Sequence, residues 1–463
     1  MKQEVRRRYH NYRLETLPRE ELRALQFRRL SQLIERVYYQ NQFYRRLFDE
    51  AKVRPAEIRS WDDFQKRIPF IDKRDLLKDQ AEQSPYGRKL MVPEAEIRKV
   101  YITSGTSGIG QEFHPMTEND FKSAAELGSY FFTWAGMEKG DLNALFWPLA
   151  TMAGGQVAFG GLERFGANAM VLGIFDSRTK IQRLREFKHH YLWATPVYLT
   201  RLTHLCREMG VEPAREMPNL KGIMLSTGAF PVEWAEEMEE FWGTRLYDCY
   251  GTTQIRSIYA STCEKSVVFE GKRGSYHPAE PVVLAEILDP ASGEPVKYGD
   301  EGEVVITNLY QEAAPMIRFR QGDKVRRLPH EACDCGRTWE VWEAGTIARY
   351  DDMLKIKGQN IWPLAVEEVI FASKEVEEYN GHVYLSEDGA EEVKVALEFK
   401  KDAAPAVKSR ILGALPARLR DRTGVRMQVE EVAHGSIPRF EYKAIRWTDD
   451  RQKGLTKVKF TEK

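Results

Sequence analysis

The 463 residues are 42% hydrophobic and 30% charged, enough for several domains with sizeable cores and too long for a small stapled scaffold. Lysine plus arginine total 69 and aspartate plus glutamate total 69, so no global field draws in nucleic acid or an anionic membrane surface. Any anionic ligand must be held by local groups. The opening MKQEVRRRYHNYRLETL has no apolar stretch after its basic residues, and runs such as YLWATPVYL are far shorter than the ~20 residues a bilayer requires. The expectation is a cytoplasmic protein with neither a secretory signal nor a membrane span. Five cysteines, an odd number, argue for reduced thiols or a metal site over a disulfide framework.

In chain order, Leu22, Leu25, Leu30, Leu33, Ile34 and Val37 recur at helical spacing and predict an amphipathic helix. From Val100 onward, strand-like KVYIT, helical ENDFKSAAELGSYFFTWAG and strand-like LNALFWPLA alternate. DSRTKIQRLREFKHH before YLWATPV, and EWAEEMEEFWGT before RLYDCYG, repeat that logic, which predicts an α/β architecture with parallel sheet. Beyond Val283 the runs AEILD, GEVVITN and KVRRL predict an antiparallel β subdomain over about 283–345. A second change falls near Asp351 and Asp352, followed by VEEVIFA, HVYLSE, EVKVALEF, an arginine-rich helix and MQVEEV. The predicted organisation is a large domain over 1–350, a junction at 351–352 and a small α+β domain over 353–463.

The segment Thr103-Ser104-Gly105-Thr106-Ser107-Gly108 follows a predicted strand. Its glycines let backbone amides turn toward a ligand and its hydroxyls add donors, a combination suited to polyphosphate oxygens. No lysine followed by serine or threonine closes it, so it is not a Walker A loop. Further along come STGAFP at 226–231, YDCYGTTQ at 247–254, MIRFRQGD at 316–323, ARYDDMLKIKG at 348–358 and IPRFEYK at 437–443. In this order the motifs resemble the phenylacetate-CoA ligase family of the acyl-adenylating superfamily, and the resemblance covers essentially the whole chain.

The resemblance implies that a carboxylate attacks the α-phosphate of ATP, giving an acyl adenylate and pyrophosphate, and that coenzyme A then takes the acyl group. It assigns Lys443 as the catalytic lysine, a point charge on a flexible stem. Thr103, Ser104, Gly105, Thr106, Ser107 and Gly108 would meet the phosphates. Asp323 would accept from the ribose hydroxyls, since an ionised carboxylate only accepts, and Arg349 would contact the nucleotide. Tyr250 would stack on adenine, Asp248 would accept from its amine, and Gly228 and Ala229 would offer backbone on the other side. Gly251, Thr252 and Thr253 complete the nucleotide set. The small domain would rotate about Asp351, bringing Lys357 and Gly358 to the coenzyme A channel.

Departures from the family pattern are Gln254 where glutamate is usual, Ile109 where lysine is usual, Phe230 for glutamate and Gln321 for threonine. Gln254 is a weaker Mg²⁺ ligand than a carboxylate and leaves metal placement open. Trp147, Pro148, Met152 and Gly155 lie in the stretch that the resemblance assigns to the acid pocket, which implies an aryl or arylacetic acid of one or two rings. Cys263, His277, Cys333 and Cys335 supply three sulfurs and an imidazole, a set that would complete a structural Zn²⁺ shell; free thiols beside a solvated histidine are the alternative. Transfer to a carrier-protein thiol, or nucleotide binding without catalysis, are the competing functional readings. A homodimer is implied only by analogy.

Overall fold

The computed structural model describes residues 8–103, 110–147, 149, 153–357, 359–386, 390–439 and 446–451. A short α1 (Tyr12–Glu15) precedes the expected amphipathic helix, α2 (Arg19–Gln40), which buries Leu22, Leu30, Leu33, Ile34 and Val37. Leu25 is only half-buried on its flank. Asn41 restarts the chain as α3 (Gln42–Glu50), its side chain accepting from the Tyr44 amide. Ser60 and Asp72 cap α4 (Trp61–Arg67) and α5 (Lys73–Glu82) in the same way.

The strands β1 (Lys99–Ile102) and β2 (Phe113–Met116) pair antiparallel on either side of the hydroxyl-rich segment. Thr117 and Asp120 form a capping box that starts α6 (Glu118–Ala135). The predicted alternation follows: β3 (Leu142–Leu145), α7 (Ala153–Phe165), β4 (Asn168–Val171), α8 (Ser177–Phe187), β5 (Tyr191–Ala194), α9 (Pro196–Met209) and α10 (Pro213–Glu216). It ends with β6 (Gly222–Ser226), α11 (Val232–Trp242) and β7 (Leu246–Thr252). All five strands from β3 to β7 pair in parallel, in the order β4-β3-β5-β6-β7.

The chain then reverses. Only residues 253–256 separate β7 from β8 (Ser257–Thr262), too few for a parallel crossover, so β8 runs antiparallel against β7. A two-stranded ribbon, β9 (Val268–Phe269) with β10 (Lys272–Arg273), precedes β11 (Ser275–Pro278), β12 (Val283–Leu288), β13 (Glu301–Asn308), β14 (Phe319–Leu328), β15 (Val341–Glu343) and β16 (Ala348–Arg349). The antiparallel region expected from 283 therefore begins earlier. Its ladder is also continuous with the parallel half, giving one 12-stranded sheet in the order β12-β13-β14-β15-β11-β8-β7-β6-β5-β3-β4, with β16 on β14.

A single helical turn over Tyr350–Asp352 leads to the hairpin β17 (Leu354–Ile356) and β18 (Gln359–Ile361). Beyond it, α12 (Pro363–Phe371), β19 (Val376–Leu385), β20 (Glu391–Phe399), α13 (Pro405–Thr423), β21 (Gln428–Val432) and β22 (Trp447–Asp449) build a four-stranded sheet, β21-β20-β19-β22. This sheet has its own core, including Val366, Ile370, Tyr379, Val395 and Leu415. Side-chain contacts tie it to the rest of the chain: the ion pairs Lys400–Glu237, to α11, and Arg273–Glu368, from β10, and a contact from His204 on α9 to Glu377, each at 3.0 Å. Among the described residues no helix is long and apolar enough to cross a membrane.

Candidate functional site

Strands β3, β5, β6 and β7 are parallel, so their carboxyl ends share one edge of the sheet, the usual place for a ligand crevice in such folds. At that edge β6 runs into Thr227 and Gly228. Thr227 adopts φ +62°, a left-handed conformation that costs a β-branched residue on the order of 1–3 kcal/mol. Such strain concentrates at binding loops, and no sequence motif announced it.

One strand over, Asp248 and Tyr250 lie two residues apart on β7 and so on one face. The Tyr250 hydroxyl donates to Asp323 Oδ2 at 2.6 Å. Asp323 on β14 is the register partner of Arg349 on β16, whose Nη1 stands 3.7 Å from Oδ1. Gln321 Nε2 donates to the hydroxyls of Tyr259 at 2.8 Å and Tyr250 at 3.3 Å. Tyr250 and Asp323, 73 residues apart in separate motifs, thus meet in one polar corner with Arg349. Burial first, then the Asp323 carboxylate, pushes the Tyr250 phenol well above its usual range. Arg349 keeps 44% of its side chain exposed while Asp323 keeps 7%, so the cation faces outward over a buried acceptor. Gly251 follows at a bulge, where a Cβ would come within 2.3 Å of the Ser257 carbonyl, and no other residue fits there.

Asp248 lies deeper. It is 2% exposed, and the Tyr276 hydroxyl donates to its Oδ2. Burial raises its carboxyl to about 7, with the Tyr276 hydrogen bond working in the other direction. Tyr276 carried no motif and was not foreseen. Gly228 is exposed and Ala229, Thr252 and Thr253 are half-buried along the same edge.

Of the hydroxyl-rich segment, Thr103 is described, while Ser104, Gly105, Thr106, Ser107 and Gly108 lie outside the described residues, as do Ile109 and the catalytic candidate Lys443. Thr103 is held from across the hairpin, its Oγ1 accepting from the Glu112 amide at 2.9 Å. Glu112 in turn accepts from Gln254 Nε2 through both oxygens, at 3.1 and 3.0 Å. His114 Nε2 is 3.8 Å away and Lys73 Nζ 3.9 Å. Burial alone would raise the Glu112 carboxyl, but His114, Gln254 and Lys73 outweigh it and hold it below its ordinary value. Burial drives His114 down to about 4, so its imidazole is neutral near pH 7. Ahead of Lys443, Arg439 is anchored to Glu398, with Nη1 3.1 Å from Oε2.

In the expected acid pocket, Trp147 is half-buried and sets its ring edge-on to Trp193 at 6.2 Å. Gly155 sits in the first turn of α7, while Pro148 and Met152 lie outside the described residues. Asp351 is in the turn after β16. Lys357 adopts φ +48° and pairs with Glu392 at 3.5 Å; Gly358 lies outside the described residues.

The four Cys and His candidates converge although two of them precede the other pair by more than fifty residues. All are buried, and their ligand atoms lie within 4.8 Å of one another. Cys263 and Cys333 sulfurs are 3.8 Å apart, and Cys335 Sγ is 3.5 Å from His277 Nε2. Hydrogen bonds from Cys263 and Cys333 drive the Cys335 thiol down, and the shared proton drives Cys263 up. Beside them Arg337 reaches Glu15 at 2.9 Å and Glu264 at 2.8 Å, tying α1 to the cysteine-bearing loop.

Comparison with known proteins bears on the chain as a whole. The AMP-binding enzyme family model matches residues 119–310 and the AMP-binding enzyme C-terminal domain model matches 358–451. The phenylacetate-coenzyme A ligase of Thermus thermophilus is 32% identical over 95% of this chain and 99% of its own length. That of Pseudomonas putida is 29% identical over 95% and 96%. Among solved structures, 2-hydroxyisobutyryl-CoA ligase in the postadenylation state, in complex with R3-HIB-AMP, superposes with a TM-score of 0.85 at 28% identity, covering 96% of this chain and 93% of that one. The same ligase in complex with 2-HIB-AMP and CoA, in its thioesterification state, gives 0.69 over 99% and 96%.

Proposed function

The chain belongs to the phenylacetate-CoA ligase family, and from that premise we propose that it joins an aromatic carboxylic acid to coenzyme A at the expense of ATP. It is an AMP-forming acid–thiol ligase. The acid carboxylate attacks the α-phosphorus of ATP, pyrophosphate departs, and an acyl adenylate remains. The thiol sulfur of coenzyme A then attacks the acyl carbon, loses its proton, and AMP leaves.

The observation that carries the reading is the Tyr250–Asp323–Arg349 corner at the carboxyl edge of the parallel strands. Asp323 offers two acceptor oxygens, and the contacts it now makes to Tyr250 and Arg349 are of the kind ribose hydroxyls can replace or join. Tyr250 presents a ring for adenine, and Thr103 with the following hydroxyls and amides cradles the phosphates. Lys443 brings a positive charge to the oxygens on which negative charge builds, a stabilisation that works only when aimed in advance. Trp147 and Gly155 border the acid ring.

The turn at 351–352 serves as the hinge between a large domain over 1–350 and a small one over 353–463, and among the described residues the pairs Lys400–Glu237 and Arg273–Glu368 are contacts that would break as it turns. Rotation takes Lys443 away and brings Lys357 and Gly358 toward the thiol. The difference between 0.85 and 0.69 against two states of one relative supports such a movement.

Two metal ions belong to the proposal. Gln254 turns its amide nitrogen to Glu112, which leaves a hard carbonyl oxygen of the kind Mg²⁺ accepts. When bound, Mg²⁺ would draw charge off the departing pyrophosphate. The buried three-sulfur, one-imidazole set fits a structural Zn²⁺, with Cys263, Cys333, Cys335 and His277 as its ligands. Metal analysis of protein purified without chelator should find one zinc per chain, and a value far below that contradicts the assignment.

The functional proposal is tested by ATP–pyrophosphate exchange over a panel of benzoic, phenylacetic and two-ring acids. Exchange that depends on an aromatic acid is expected; exchange with none of them, or only with aliphatic acids, contradicts the substrate class.

A further inference from the structure

Glu112 is a buried carboxylate to which no role in the reaction has been given. Its side chain is 1% exposed, and it stands between Thr103, just past β1, and Gln254, just past β7. Its amide holds Thr103 at 2.9 Å, and both of its oxygens accept from Gln254 Nε2, at 3.1 and 3.0 Å. A carboxylate accepting through both oxygens dictates which end of the amide faces it. Gln254 must turn its nitrogen inward, and because the two ends of an amide diverge, its Oε1 turns away. That oxygen makes no hydrogen bond among the described residues, and Gln254 is half-buried, at the rim of the edge that carries Thr252 and Thr253. His114 and Lys73 close the other sides of the carboxylate at 3.8 and 3.9 Å, so Glu112 has nowhere else to turn.

We propose that Glu112 is a positioning residue for adenylation: it locks the Gln254 amide with its carbonyl oxygen turned toward the divalent cation that accompanies ATP. The pair divides between two residues what one carboxylate would do. Gln254 supplies the oxygen, and Glu112, one hydrogen bond behind it, supplies the negative charge. This inference rests on the ligase reading of the site and adds a residue that no motif contains. It also accounts for a glutamate fully buried immediately before β2, where an unpaired carboxylate is ordinarily exposed.

The test measures ATP binding, not turnover. Calorimetric titration of the full chain with ATP, without acid, is repeated over a series of Mg²⁺ concentrations. Glu112→Gln, which can no longer dictate the amide's orientation, should raise the Mg²⁺ needed for half-maximal ATP binding about tenfold or more, the usual cost of losing an outer-shell partner. Gln254→Ala removes the presented oxygen, leaves the buried carboxylate in place and should cause a similar rise. Exchanging the two groups in Glu112→Gln/Gln254→Glu should bring the requirement back to within about threefold of wild type, because the amide and carboxylate again pair. A Mg²⁺ requirement in Glu112→Gln within about twofold of wild type overturns the proposal, as does a double variant no better than Glu112→Gln. Should Glu112→Gln fail to fold, an unchanged requirement in Gln254→Ala overturns it alone. Failure of the ligase reading shows separately, as wild-type protein without acid-dependent pyrophosphate exchange.

Discussion

On the large sheet two polar clusters sit a few strands apart and are satisfied in opposite ways. At the corner of β7, β14 and β16, Tyr250 hydrogen-bonds to Asp323 and Gln321 to Tyr250, while Arg349 stands 3.7 Å from Asp323 as an ion pair. Beside β8 and β11, Cys263, His277, Cys333 and Cys335 crowd together, buried, with their ligand atoms all within 4.8 Å of one another. The corner is complete in protein terms, and on the proposed reading it exchanges partners as ligands come and go. The cage, on the same reading, closes around a resident cation and has nothing to exchange. The proposal thus gives one cluster to turnover and the other to stability.

The contrast breaks first at the cage. Cys335→Ser should cost at least about 4 kcal/mol of folding stability by removing a ligand of a buried centre. Denaturant melts should show the loss, while KM for ATP in the surviving folded protein stays at the wild-type value. Asp323→Ala should do the reverse. It removes a charged acceptor from the proposed ribose site and should raise KM for ATP by about 10- to 100-fold, with a smaller effect on stability. A cage variant that alters KM, or an Asp323 variant that does not, would erase the distinction.

Asp248 sharpens the comparison, since it is a buried acid between the two clusters with a carboxyl raised to about 7 by burial. A raised folded-state pKa means that the protonated acid stabilises the fold fully below the ordinary value near 3.8 and that this contribution is lost as pH climbs through 7. Asp248→Asn, neutral throughout, should gain stability relative to wild type as pH rises from 4 to 8, read from urea midpoints. A difference that stays flat with pH would place Asp248 outside the buried, protonated state. The smallest effect is expected at Lys400, whose 3.0 Å pair with Glu237 ties the small sheet's end to α11. Lys400→Ala should change stability by less than about 1 kcal/mol and shift the ratio of the two half-reaction rates by about twofold, since one partly exposed ion pair is worth that little.

Sequence pattern revealed much of this. The helix and strand periods between Leu142 and Thr252 marked β3, α8, β5, α11 and β7 and the α/β alternation they belong to, because each half-buried element writes its period into its apolar residues, while α7, β4, α9, α10 and β6 were not singled out. The four cysteine and histidine candidates that converge could be named from ligand type and the family resemblance, with free thiols left as the alternative. Less legible were features made by pairing at a distance. The continuity of the sheet depends on a four-residue reversal between β7 and β8, which leaves no mark in hydrophobicity. Strand β22 is three residues long and gains its stability from β19, which it joins in parallel. Glu112 meets Gln254 across 142 residues, and Tyr276 meets Asp248 across 28, with no motif to link either pair. The left-handed Thr227 is a backbone property to which side-chain identity gives no clue.

The central claim is that one chain activates an acid as its adenylate and passes it to coenzyme A. It is tested most directly by incubating the protein with MgATP, coenzyme A and an aromatic acid that supports exchange, then counting products by mass spectrometry. Aryl-CoA and AMP are predicted in one-to-one ratio, with pyrophosphate as the third product; ADP in place of AMP, or an acyl adenylate that never reaches the thiol, would contradict the account.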